Sequence, residues 1–151
     1  MKLKALIGSG DKIMLITFPF IVVGLLLNVL NPEFFSVGGP PEFLTIVSLI
    51  ALVPGVIIWM WTVTLILLKV PKGELITTGP IVVVKHPLYT GVSLLVLPWL
   101  GFLFNTWLGA LIGIVIYIAA RKYSKEEEVL MAKTFVKEWD AYRKKVLIDW
   151  L

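Results

Sequence analysis

Uncharged, mostly apolar runs alternate with short polar stretches along this chain, and that alternation sets the predicted elements. Ile13 to Leu30 is eighteen residues without a charge. As a helix rising ~1.5 Å per residue it is about 27 Å long, near the hydrocarbon thickness of a bilayer. Phe43 to Leu68 is a second run, of twenty-six residues, long enough to span with tilt. Pro54-Gly55 is expected to kink it. Leu88 to Ala120 is a third run, of thirty-three residues. That exceeds one span of about twenty residues and suits a tight hairpin of two. The break belongs at Asn105-Thr106, the most polar point, with Pro98 bending the first limb. Spans at about 13–30, 43–68, 88–104 and 107–120 follow. Between the first two, Gly38-Gly39-Pro40-Pro41 cannot continue a helix. Trp59 and Trp61 read as packing or interfacial residues.

Beyond Arg121 the pattern changes. Phe135, Trp139, Tyr142 and Val146 recur at helical spacing, with Lys133, Lys137, Asp140 and Lys144 on the opposite side. This predicts an amphipathic helix over about 129–147, lying on a membrane surface or folding over the mouth of the bundle.

Composition agrees with lipid as the solvent. The 151 residues are 58% hydrophobic and 16% charged, against roughly 25% charged in an ordinary soluble domain. All 14 Lys and Arg fall in the segments 1–12, 69–87 and 121–151, while the intervening loop 31–42 carries only Glu33 and Glu42. The positive-inside rule then places both termini in the cytoplasm. The expected fold is all-α: a polytopic membrane bundle of four transmembrane helices with cytosolic N- and C-termini and a C-terminal amphipathic helix, in a single domain over 1–151. Lysines before an apolar run also suit a secretory signal, but this run is long, ends at Asn31-Pro32 and precedes no small-residue cleavage site. The net charge of +4 reflects this topology and not nucleic-acid binding. With no cysteine and one histidine, no metal site is expected.

Two polar clusters carry the candidate chemistry. One is Lys85-His86-Pro87-Leu88-Tyr89-Thr90-Gly91, where a basic segment turns back into an apolar one, and it holds the only histidine. The other is Glu126-Glu127-Glu128, where the last apolar run has ended. Read singly, the first is a basic anchor with proline opening a helix, and the second a solvated charge run paired with Arg121, Lys122 and Lys125. Dinucleotide and Walker signatures are absent, and one histidine gives poor support to a Ser-His-Asp or metal hydrolase.

The order of features is more specific than any one of them. Thr78-Gly79-Pro80, the Lys85–Gly91 motif, an apolar hairpin, Glu127-Glu128, then Phe135, Trp139, Tyr142 and Val146 resemble the isoprenylcysteine carboxyl methyltransferase family, itself related to phospholipid methyltransferases. The resemblance covers about residues 74–147; the first two spans match in character only. Lys85 stands where the family has arginine, Val136 where it has glycine, Trp139 where it has tyrosine and Leu147 where it has proline. The resemblance implies a methyltransferase with S-adenosylmethionine as cofactor. His86, Pro87, Leu88, Tyr89 and Gly91 would lie along the cofactor with Glu127 and Glu128 opposite. Carboxylates suit its ribose hydroxyls and ammonium, and donors such as His86 and Lys85 suit its carboxylate. Gly91 is expected to permit close approach of a helix or ligand. Lys85 and Arg121 are the candidate catalytic residues, although lysine lacks the two-point contact of arginine. The expected acceptor is lipophilic or amphipathic, reached at the cytosolic face among membrane lipids. Two rival readings are an NADPH-binding protein like the sterol reductases, which have a similar C-terminal region but many more spans, and a non-catalytic family member.

Overall fold

The computed structural model describes residues 9–39 and 41–149. Lys2 and Lys4, which enter the charge partition, lie outside the described residues, as does Pro40 of the first loop. Among the described residues the chain is helical with no strand. The long elements are α1 (Gly10–Leu30), α3 (Pro41–Lys69), α5 (Pro87–Leu103) and α6 (Leu108–Arg143). Single turns α2 (Pro32–Phe35) and α4 (Pro80–Val83) connect them.

Helix α1 and the stretch Glu42–Lys72 are each long and apolar enough to cross a membrane. Only 17% and 11% of their apolar windows are buried, so their side chains face outward and not into a protein core. Apolar surface left outward at this density suits hydrocarbon as its solvent. Helix α1 packs on α6, α6 on α5, and α5 on α3. The last two helices in sequence thus form the middle of the bundle.

Small residues let that middle close. A Cβ on Gly109 would sit 2.0 Å from the Leu97 carbonyl oxygen, and one on Gly113 would sit 2.2 Å from that of Ser93. The backbones of α5 and α6 therefore approach as they do at small-residue interfaces in lipid. Buried hydroxyls inside the helices bond backward, Thr17 to the Ile13 carbonyl at 2.9 Å and Thr62 to that of Ile58 at 2.8 Å.

Helix α5 is not uniform. It starts as an α-turn over Pro87–Thr90, widens to a π-turn over Gly91–Val96 and returns to α over Leu97–Leu103. The Leu97 N–H donates to the Val92 carbonyl, five residues back. Pro98 explains the widening. It has no N–H for the Leu94 carbonyl and its ring crowds that group, so the preceding turn relaxes to the wider register.

The hairpin turns where expected. Helix α5 ends at Leu103, Asn105 takes a left-handed φ of 54°, and α6 begins at Leu108. The second limb does not stop near 120. It continues through the glutamates to a kink at Val136 (φ 30°, ψ −93°), beyond which a second, short helical segment runs to Arg143. No glycine or proline lies between Gly113 and Asp149, and a run of charges in water does not break a helix. The amphipathic helix expected over about 129–147 thus starts on α6 before the kink, continues beyond it to Arg143, and does not include the non-helical residues 144–147. Its predicted inner face holds: Trp139 and Tyr142 are buried, Phe135 and Val146 half-buried, and Lys133, Lys137, Asp140 and Lys144 exposed. Helix α3 runs unbroken past Pro54-Gly55.

Candidate functional site

The Lys85–Gly91 motif is held by the local rules of a helix start. Gly79 has φ 75°, and a Cβ there would lie 2.8 Å from Leu65 and 3.2 Å from the Trp61 indole nitrogen, so only glycine lets this loop lie on α3. After α4 the chain extends, and His86 takes the position before α5 with Pro87 at the first helical residue. The Thr90 N–H and hydroxyl both donate to the His86 carbonyl, at 3.1 and 3.0 Å.

Helix α6 brings the three glutamates past this point. Successive residues on a helix are ~100° apart, so the three carboxylates fan over different neighbours. Glu126 pairs with Lys12 of α1. Glu127 faces inward: its Oε1 accepts the Ser9 backbone N–H and the Tyr89 hydroxyl, the latter at 3.1 Å, and its Oε2 lies 3.8 Å from His86 Nδ1. Glu128 lies 3.2 Å from His86 Nε2 through Oε1 and 2.8 Å from Lys85 Nζ through Oε2. The His86 ring therefore lies between two carboxylates. Lys85 is buried, and its ammonium also donates to Asp149 at 2.6 Å.

The electrostatics follow from these contacts. The hydrogen bond from His86, then the Lys85 ammonium, hold the Glu128 carboxyl down at about 2, against the opposing effect of burial. An ionised carboxylate only accepts, so the contact with Glu128 is a hydrogen bond when His86 Nε2 carries a proton. Burial, then the negative charges of Glu128 and Asp149, push the Tyr142 phenol above its ordinary value. Its hydroxyl donates to the Ile81 carbonyl at 3.1 Å and ties the end of α6 to α4, just ahead of the motif.

Beside this cluster a cleft of about 320 Å³ is lined by Lys85, Arg121, Ser124, Lys125, Glu128, Arg143 and Asp149. A second hollow, of about 380 Å³, shares Arg143 and Asp149 with it. Small-molecule sites commonly run from about 300 to 1,000 Å³. Among the described residues no group of His, Asp and Glu has a geometry that could hold a metal ion.

Of the residues singled out in the sequence, Lys85, His86, Tyr89, Glu127 and Glu128 form one bonded cluster, and Lys85, Arg121 and Glu128 share the cleft wall. Pro87 is buried, and of the seven residues expected along the cofactor only Glu128 lines the cleft; His86, Pro87, Leu88, Tyr89, Gly91 and Glu127 do not. Gly91 is buried, yet a Cβ on it would meet nothing within 4 Å. The close helix approach expected there is found instead at Gly109 and Gly113. Four participants carried no sequence signal read in advance: Ser9, Lys12, Tyr142 in its tie to Ile81, and Asp149. Asp149 is the one acid after Asp140 in a basic tail, which is the signal available for it. Ser9 acts through its backbone N–H, and residue type does not encode that. No family model, curated protein or solved structure matches this chain.

Proposed function

We propose that the protein is an integral membrane methyltransferase that uses S-adenosylmethionine and methylates a lipophilic or amphipathic acceptor at the cytosolic surface. The observation that carries this reading is the convergence of His86 and Tyr89 with Glu127 and Glu128, from segments some forty residues apart. The motif order that resembles the isoprenylcysteine carboxyl methyltransferases needs those residues at one ligand.

In this reading the chain crosses the bilayer four times, and both termini and the site face the cytoplasm. Two helices of spanning length support it, together with an apolar hairpin and the collection of Lys12, Lys69, Lys85 and the cations of α6 at one end of the bundle.

The donor set suits the cofactor. Glu127 and Glu128 are acceptors for ribose hydroxyls and an ammonium, and the bonds that Glu127 receives from Ser9 and Tyr89 are of the kind a ribose hydroxyl can replace. Lys85, Arg121, Lys125 and Arg143 are donors for a carboxylate. The buried Gly91 leaves space beside the first turn of α5. When bound, S-adenosylmethionine supplies an electrophilic methyl group on sulfonium sulfur. The chain's part is positioning: His86 and Tyr89 orient the carboxylates, and the cations on the cleft wall hold the carboxylate of the cofactor.

Incubation of the purified protein with methyl-labelled S-adenosylmethionine and a total lipid extract tests this. Label should enter an amphipathic product, and His86→Ala and Glu127→Ala should abolish transfer while helical content stays intact. Transfer that survives both substitutions, or its absence with every lipid fraction, contradicts the reading.

A further inference from the structure

Lys85 has an unusual pair of partners. Its side chain is 4% exposed, and it is bonded both to Glu128, on the neighbouring helix, and to Asp149, which is 53% exposed. Asp149 reaches it because the segment after α6 lies alongside the motif segment. The Leu147 N–H donates to the Val82 carbonyl at 3.1 Å, the Ile148 N–H to that of Val83 at 2.9 Å, and the Lys85 N–H to that of Ile148 at 3.4 Å. Val84 and Ile148 form a parallel bridge. Little apolar surface backs this strap, since Leu147 is 78% exposed and Ile148 half-buried. Segments with few buried contacts and surface hydrogen bonds open at low free energy.

The strap closes against a wall rich in positive charge. The cleft is lined by Lys85, Arg121, Lys125 and Arg143 against the two carboxylates Glu128 and Asp149. Among the described residues no ion pair involves Arg121, Lys125 or Arg143. Ser124, buried on the same wall, adds a hydroxyl donor. Glu128 belongs to α6 and cannot leave without unwinding it. Asp149 belongs to the strap and can.

We infer that Asp149 is the internal occupant of an anion subsite, and that Leu147–Asp149 is a strap which the anionic group of an entering ligand displaces from Lys85. The chemistry recognised is a carboxylate or phosphate, which takes the place of the Asp149 carboxylate on the Lys85 ammonium and gains Arg121 and Arg143. This rests on reading the cleft as a ligand site, and the test uses no methyl donor, so the two can fail separately.

Hydrogen exchange of the Leu147, Ile148 and Lys85 amides reads the strap directly, in phosphatidylcholine nanodiscs. Asp149→Asn should speed their exchange about tenfold, the effect of losing one charge-assisted hydrogen bond, and Asp149→Glu should restore protection. Inorganic pyrophosphate should speed exchange of the same amides in the wild type if the displacing group is soluble. Nanodiscs containing phosphatidylglycerol should do so if it is a lipid headgroup, and a response in either arm supports the inference. Exchange unchanged by Asp149→Asn, or unmoved by both anions, overturns it. The amides of α5 and α6 report whether the variant is folded.

Discussion

The two ends of the bundle solve the same problem with different chemistry. Where α1 runs into α2, neutral groups close the hairpin. Thr106 donates to the Asn28 side chain at 2.6 Å, Asn105 to the Ser36 hydroxyl at 3.0 Å, and the Trp107 indole to the Phe34 carbonyl at 3.0 Å. Trp107 stacks on Phe35 with ring centres 4.8 Å apart. In these bonds each donor meets an acceptor and no charge is confined. At the other end, Lys85, His86, Glu127, Glu128 and Asp149 share partners, so that one ammonium serves two carboxylates and one imidazole lies between two. A clamp needs only satisfied bonds. Confined charges are costly unless paired and hydrogen-bonded, and clusters of perturbed titratable groups gather at functional sites, so this is the end where binding is expected.

Substitutions at each end sharpen the contrast. The largest effect is expected for Lys85→Met, which leaves Glu128 and Asp149 without their shared cation. Breaking a fully buried pair costs about 3–5 kcal/mol, and the exposure of Asp149 reduces this to about 2–3 kcal/mol. Thermal unfolding in detergent should show it, with binding lost as well.

Acid should weaken the same end. The Glu128 carboxyl is held below its ordinary 4.5, at about 2, so its ionised form stabilises the fold. That contribution is complete above pH 4.5 and is lost as pH falls toward 2. The melting temperature of the wild type should therefore fall more steeply than that of Glu128→Gln across this window.

At the neutral end, Thr106→Val removes the bond to Asn28 and the one Thr106 accepts from the Leu108 N–H at 3.2 Å. The expected loss is about 1–2 kcal/mol of stability, with ligand affinity unchanged. A matching loss of affinity would erase the distinction between the two ends.

The smallest effect should be a gain. Val136 holds φ 30°, a region that β-branched residues avoid. Val136→Gly should stabilise the protein by about 1 kcal/mol, read as a higher melting temperature.

Much of this was legible in the chain, for identifiable reasons. Hydrophobic length located the helices, and polarity at Asn105-Thr106 located the turn, because apolar surroundings leave the backbone only internal hydrogen bonds and polar residues mark where it can leave them. Helical spacing put Trp139 and Tyr142 on the inner face. The meeting of His86 with Glu128 followed from motif order. Contacts made through the backbone were not legible. The Ser9 N–H reaches Glu127 across 118 residues, and the strap pairs with Val82 and Val83 through main-chain atoms, so neither leaves a residue pattern. The continuity of α6 past Arg121 was missed because a change from apolar to charged residues marks a change of solvent, not a helix end.

The most direct test is calorimetric titration of S-adenosylhomocysteine, and separately of NADPH, into the purified protein in detergent. S-adenosylhomocysteine should bind, and Glu127→Ala should weaken it at least about 100-fold, as expected for the loss of charge-assisted bonds. Binding of NADPH alone, or an S-adenosylhomocysteine isotherm that Glu127→Ala leaves unchanged, would contradict the assignment of this end of the bundle as a methyl-donor site.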